Sequence, residues 1–420
     1  MLYAASLSTW YVAGAEGQGV MGNRPGWIAG CVMTITKPVF DRLGFLLWIG
    51  AFVIVLVMAW WAPDARSVVS AYRHGSEAFA AGQPLYKVQL AMGYLYAPAF
   101  AALYIPFMKL GPSAGSVLWH TLCFGVLTYA AARQVRKIGG QDQMWLLSYA
   151  LFLAMPMALG AIRNGQSTIL LTGACWLLTL SALEGRRAEP FFWACVALIA
   201  KPTGLIMLLL VGALRPRLIP WLVLAALVVL AIPYAFAPTG YINDQYRDFF
   251  QMLTSMAVDH TGPFAPADFT VPLAMIGLPI PEFDATIVRV IAALLTLSAV
   301  LWFDRKAGRE VAGIAIFLAA AFYMCVFNPR VEPNTYAMIA VPAGVAIAYL
   351  WREEEGGALA TTLATTLFLS GLTSVERHMH NFFHPWFRPV VVTIIACALI
   401  RWFWIRARQQ RPDAGRIAHG

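Results

Sequence analysis

Between Gly44 and Arg406 the chain repeats one element, a run of apolar residues near the 20 or so that a helix needs to cross a bilayer's hydrocarbon core. Runs that follow one another with short gaps leave no room for a large water-soluble domain. The composition agrees: 60% of the residues are hydrophobic and 12% are charged, against about half and about a quarter in a soluble domain. Spans are expected at 44–62, 113–132, 143–161, 167–183, 218–236, 286–303, 311–327, 335–351, 358–374 and 389–405. Segment 188–214 is either one more span or two short arms broken at Lys201-Pro202, because proline removes a backbone donor and interrupts a helix.

Charge decides between the two. The loops rich in Arg and Lys are 133–137 (RQVRK), 184–187 (EGRR), 215–217 (RPR), 303–309 (FDRKAGR) and the tail after Arg406. Short basic loops stay on the cytoplasmic side. Loops 184–187 and 215–217 can share that side only if 188–214 enters the membrane and returns, with Lys201 at the tip near the outer face. On this map 19 of the 30 Lys and Arg lie inside and 10 outside, whereas the acids divide evenly. The net charge of +9 then reflects basic cytoplasmic loops, and no nucleic-acid partner is expected. The expected fold is an all-α polytopic membrane protein of about 12 transmembrane helices, one domain over residues 41–406. Residues 1–40, Gly-rich and weakly apolar, are expected as a poorly ordered cytoplasmic leader, and 407–420 as a basic cytoplasmic tail.

The outer face then owns two long segments, 63–112 and 237–285. Residues 93–110 are apolar but carry Pro98 and Pro106, and as a span they would invert every later loop. They are expected to lie in or re-enter the outer interface, where Tyr94, Tyr96 and Tyr104 suit the headgroup level.

Polar groups gather on this face. The first segment carries Asp64, Tyr72, Arg73 and Glu77. Arg163-Asn164-Gly165-Gln166 forms the next turn. The large loop offers Asp259, His260 and Asp268, and Arg330 and Glu332 follow. An ionisable group at membrane depth is costly and is a functional candidate by default. Lys201, flanked by ALIA and PTGLIMLLL, is the sharpest case; its bland alternative is snorkelling to the interface. Asp64, beside Trp60 and Trp61, is a candidate general base, with Glu77 and Asp259 in reserve; an exposed loop carboxylate is the bland alternative for each. His378, His380 and His384 lack an acidic or cysteine complement and read as interfacial. The six cysteines form no CxxC pair, and five lie in apolar runs, so they read as packing residues. No Walker A loop or GxGxxG turn is present, which removes ATP sites and Rossmann units.

Three stretches, taken in order, resemble one family. They are YRHGSEAFAAGQPLY with YLYAPAFAALYIPFMKLGP, then RNGQSTILLTGACWLLTLSALEGRRAEPFFWACVALIAKPTGLIMLLL, then NPRVEPNTYAMIAVP. The chain is similar over roughly residues 44–350 to the polyprenyl-phosphate-dependent glycosyltransferases of family 87, with a GT-C membrane fold. The resemblance implies a periplasm-facing site in the bacterial cytoplasmic membrane. It implies a polyprenyl-phosphate-sugar donor, a lipid or glycan acceptor, and a carboxylate base on the first outer loop. Lys201 stands at the family's KP lysine and is expected on the carrier phosphate, with Arg330 as a second contact. Asn164 and Gln166 match the NGQ turn and, with Tyr72, Arg163 and His260, are expected to line the cavity. No cofactor is expected, and a divalent cation is left open. Mannose is the first expectation for the sugar and arabinose the second. In many relatives the aspartate falls just before the tyrosine preceding the first loop helix; that position is Ser67 here, and Asp64 is the nearest aspartate. The alternatives are a polyprenyl-linked glycan transporter or flippase, and a non-catalytic lipid-carrier-binding member.

Overall fold

The computed structural model describes residues 41–86, 94–255, 267–329, 331–354, 356–373, 383 and 386–409. The leader, the end of the tail, Asp259, His260, Arg330, His378, His380 and His384 lie outside them. Among the described residues the chain is mostly helical, with no strand.

Among the described residues, eight helical stretches are long and apolar enough to cross a membrane. They contain α1 (Leu43–Trp61), α4 (Gly111–Ile138), α5 (Gln143–Arg163), α9 (Ile219–Ala231), α12 (Glu282–Lys306), α13 (Arg309–Val326), α14 (Ala337–Glu353) and α16 (Phe387–Gln409). Four shorter apolar helices fill the remaining places: α6 (Ser167–Leu183), α7 (Ala188–Ala200), α8 (Gly204–Leu214) and α15 (Ala358–Leu372). The other helices, α2 (Val69–Ala80), α3 (Pro98–Lys109), α10 (Thr239–Ser255) and α11 (Thr270–Met275), connect them.

The twelve apolar helices, unlike α2 and α10, carry no polar face over most of their length because lipid is as apolar as the protein interior, so packing rests on close fit and small residues. α14 and α6 form the centre, and nearly every residue in them is buried. α1, α9 and α12 sit at the rim with most of their surface outward. Glycine sets how near the central helices come. A Cβ on Gly344 would fall against the Ala150 carbonyl, and one on Gly371 against Pro156 and Met157.

One end of the bundle gathers the basic loops. Arg133 of α4 is buried between Glu184, at 2.5 Å, and Glu189; Lys137 and Arg186 reach Glu184 at 2.7 and 2.9 Å. Gln134 donates to the backbone carbonyl of Glu310, at the start of α13. Arg215, just past α8, holds Asp304 through two bonds of 2.7 and 2.8 Å. The outset of α7 and the finish of α8 therefore lie at one end, and 188–214 turns back at Lys201. The 13 residues of α7 rise about 20 Å against a hydrocarbon core of about 30 Å. Each arm is therefore shorter than a full crossing.

At the far end α3 is too short to span: its 12 residues rise about 18 Å. Gly111, at φ +81°, lets the chain reverse into α4. There Gly115 packs so closely on the Phe107 carbonyl that a side chain would not fit. α3 also packs on α2, on α10 and on the turn Ile232–Ala235. Gln245 of α10 accepts the Leu85 N–H at 2.8 Å, and the Tyr241 hydroxyl donates to the Gln83 carbonyl at 2.7 Å. The two long connecting segments are thereby joined into one layer.

Candidate functional site

The turn after α5 organises this end. Gly165 has φ +68°, its N–H bonds the Ile162 carbonyl, and the Gln166 N–H bonds the Ala161 carbonyl. This is a Schellman motif, whose left-handed position glycine fills without a Cβ penalty. Here the demand is doubled, because a Cβ would also strike Val69 and come within 3.1 Å of the His120 ring. Trp119 fixes the turn from the other side by donating its indole N–H to the Gly165 carbonyl at 2.8 Å.

The first connecting segment docks on that turn. The Val68 N–H is shared between the Asn164 side-chain and backbone oxygens, both at 3.0 Å, and Ser67 Oγ donates to the same backbone oxygen at 3.3 Å. Asn164 therefore caps the approach to α2. One turn further, Tyr72 is wholly buried. Its hydroxyl accepts the Ser167 N–H at 3.1 Å and pairs with the Tyr96 hydroxyl at 3.0 Å. The rings of Tyr96, Phe100, Tyr104 and Trp119 meet its ring edge-on. Burial, with Tyr96 adding to it, pushes the phenol well above its ordinary pKa. Tyr72 is thus a neutral anchor that holds α2 to the start of α6.

Anchoring α2 places the residues beside Tyr72. Arg73 grips Asp64 with both nitrogens, at 3.0 and 3.1 Å, and approaches Glu77 at 3.7 Å. The exposures differ in an informative way: the Arg73 side chain is 12% exposed, and both carboxylates are 52% exposed. The cation belongs to the scaffold and the carboxylates face outward. Donating to the Asp64 carboxylate raises the already high pKa of Arg73, so the guanidinium stays charged. The loop that presents Asp64 contains Arg66 at φ +53°, the one non-glycine in the left-handed region among the described residues. That conformation costs about 1–2 kcal/mol and persists only where its surroundings hold it.

The second group of polar residues lies deeper. Gln166 is buried, with Nε2 at 3.5 Å from a Glu332 carboxylate oxygen. Arg163 is half-buried; its Nε is enclosed and makes no hydrogen bond. Lys201 ends α7 in extended geometry, φ −159° and ψ 144°, and its ammonium has no carboxylate within ion-pair distance among the described residues. Most other buried or half-buried cations are paired. Arg289, two turns into α12, is the instructive contrast. It bonds buried Asp268 at 2.9 Å and Glu282 at 2.7 Å, and its guanidinium lies over the Phe269 ring. Asp268 also accepts the N–H and hydroxyl of Thr270 at 3.0 and 2.6 Å. That pair fastens the end of the large loop to the bundle, where the Ala267 N–H meets the Val331 carbonyl at 2.7 Å.

Sequence reasoning put Asp268 on the polar map without Arg289, and listed Arg73 as one polar residue of the first outer segment among several. Hydropathy and motif spacing carry no signal for either pair, since the partners stand 21 and nine positions apart. Among the described residues no group of three or more His, Cys, Asp and Glu side chains is placed to hold a metal ion.

Comparison with curated proteins gives no match. The model of glycosyltransferase family 87 matches residues 94–329. That stretch holds Arg163, Asn164, Gln166 and Lys201; it begins after Asp64, Tyr72 and Glu77, and it ends one residue before Arg330. Because it covers more than half of the chain, the protein belongs to glycosyltransferase family 87.

Proposed function

We propose that the protein moves a sugar, mannose first, from a polyprenyl-phosphate carrier to a lipid or glycan acceptor at the periplasmic face of the bacterial cytoplasmic membrane. Both termini are then cytoplasmic, and the end bearing Asp64 and Lys201 faces outward. The observation that supports this reading, beyond the family, is Lys201: a half-buried cation at the tip of a broken helix, with no carboxylate in ion-pair distance among the described residues, which this reading sets at membrane depth. Irregular backbone at that depth is tolerated where it lines a cavity, and a buried charge needs a partner. The phosphate of a lipid carrier meets the need from within the bilayer. Arg330, outside the described residues, is assigned as a second contact, with Arg163, Asn164, Gln166 and His260 around the cavity.

The proposed reaction is a single inverting displacement. The acceptor hydroxyl gives its proton to Asp64 as its oxygen forms a bond to the anomeric carbon. The bond from that carbon to the phosphate oxygen breaks, and its electron pair leaves with polyprenyl phosphate. The departing group is already an anion, so cations rather than a proton donor stabilise it.

To test this, the purified protein in nanodiscs is incubated with short-chain polyprenyl-phosphate sugars and a bacterial membrane-lipid extract, and mass spectrometry follows both products. Glycosylated acceptor appearing in step with free polyprenyl phosphate is the expected result. Donor that binds but never loses its sugar would favour the carrier-binding reading, to which Ser67 at the family's usual aspartate position lends support. Donor that neither binds nor reacts would overturn both.

A further inference from the structure

Asp64 sits in the short connection between α1 and α2, half exposed, and Arg73 is its one ion-pair partner among the described residues. A carboxylate so placed has free torsions, and the entropy of ordering it opposes reaction. Arg73 has none of that freedom. It follows Tyr72, whose buried hydroxyl ties α2 to α6, and its own side chain is largely enclosed. We propose that Arg73 is a positioning residue for sugar transfer, fixing the plane and direction of the Asp64 carboxylate on a rigid helix. The proposal rests on Asp64 being the base.

The geometry suits the task. A guanidinium is a planar fork that matches a carboxylate through two parallel bonds, which a lysine ammonium does not reproduce. A carboxylate has about four lone-pair sites; the fork occupies one on each oxygen and leaves the exposed side free for an acceptor hydroxyl. Arg73 remains protonated throughout, so the proton taken from the acceptor stays on Asp64. Glu77, at 3.7 Å, and Tyr104 are the other titratable groups interacting with the guanidinium. The strained Arg66 and the Ser67 and Val68 bonds to Asn164 hold the loop that delivers Asp64 to the fork.

The test uses the full-length protein in nanodiscs, with the polyprenyl-phosphate sugar that turns over. Misplacing a reacting group by about 1 Å costs on the order of 100-fold, so Arg73→Gln should lower kcat by roughly 10- to 100-fold with donor KM unchanged. Arg73→Lys keeps the charge without the fork and should stay close to Arg73→Gln. Millimolar guanidinium should raise turnover of Arg73→Ala while leaving Asp64→Asn inactive, a rescue that distinguishes lost positioning from lost folding. Full turnover in Arg73→Gln, full recovery in Arg73→Lys, or a loss confined to donor KM each overturns the proposal; the last would place Arg73 on the donor phosphate. If Asp64→Asn keeps its turnover, the base assignment fails, and any kcat loss at Arg73 then belongs to a role independent of Asp64.

Discussion

Tyr72→Phe removes a single oxygen from the centre of the far end. The ring and its edge-on contacts with Tyr96, Phe100, Tyr104 and Trp119 stay in place, so no cavity of consequence opens. What is lost is the acceptor for the Ser167 N–H and the partner of the Tyr96 hydroxyl. A buried polar group left unpaired costs about 1–3 kcal/mol. Tyr96 is half-buried and can turn to another partner, so most of the penalty falls on the Ser167 amide and the expected cost is about 2 kcal/mol. At 1.4 kcal/mol per factor of ten, local opening that separates α2 from α6 should become about 30-fold more frequent. Hydrogen exchange with mass spectrometry in nanodiscs reads this directly. Peptides covering 69–80 and 164–170 should exchange about 30-fold faster in the variant, while peptides from α14 should not change. Unchanged exchange at both sites would refute the anchoring role and return Tyr72 to lining an open cavity.

Gly165→Ala should disturb the same junction by sterics, combining a left-handed penalty of about 1–2 kcal/mol with a clash against Val69; a clear drop in unfolding temperature in detergent is expected, and a wild-type melt would contradict it. Asp268→Asn leaves Arg289 buried with Glu282 as its remaining carboxylate, so the cost should fall below the roughly 3–5 kcal/mol of a buried charge left without a partner; a drop in unfolding temperature in detergent is expected, and a wild-type melt would disprove the latch. At the basic end, burial alone would raise the pKa of Glu184, but hydrogen bonds from Arg133 and Lys137 outweigh it and hold the carboxyl below its usual value. A depressed folded pKa gives stability that is present above the unfolded value and is lost as pH falls through the folded one. Acid below about pH 4.5 should therefore loosen this end, seen as faster proteolysis at 184–187, and Arg133→Gln should remove much of that acid dependence; identical pH profiles in the two proteins would contradict the reading.

The spans were legible because the bilayer imposes a length and a polarity on every crossing. Segment 188–214 was legible through parity: two basic loops on one side require an even number of crossings between them, and Arg215 does meet Asp304 at the end where Arg133 meets Glu184. Prolines 98 and 106, with the parity of the later loops, marked 93–110 as a segment that does not cross, and α3 within it is 12 residues long. The site was legible only as a list of polar residues on one face. Which carboxylate meets which cation depends on how α2 rotates about Tyr72, and that rotation is set by the Asn164 turn and by rings from α3 and α4, none of which leaves a local pattern. Tyr72 itself shows the difficulty, since a cavity-lining tyrosine and a buried anchor have the same letter and the same neighbours in sequence.

The central claim is that Asp64 takes the acceptor's proton while Lys201 holds the carrier phosphate, and one paired measurement tests it most directly. Sugar transfer and donor binding are compared in wild type, Asp64→Asn and Lys201→Ala, with a polyprenyl-phosphate sugar as donor. The account predicts that both variants lose transfer, that Asp64→Asn still binds donor with wild-type affinity, and that Lys201→Ala does not. Transfer surviving in Asp64→Asn would contradict it and move the base to Glu77 or Asp259; undiminished donor binding in Lys201→Ala would remove the lysine from the phosphate.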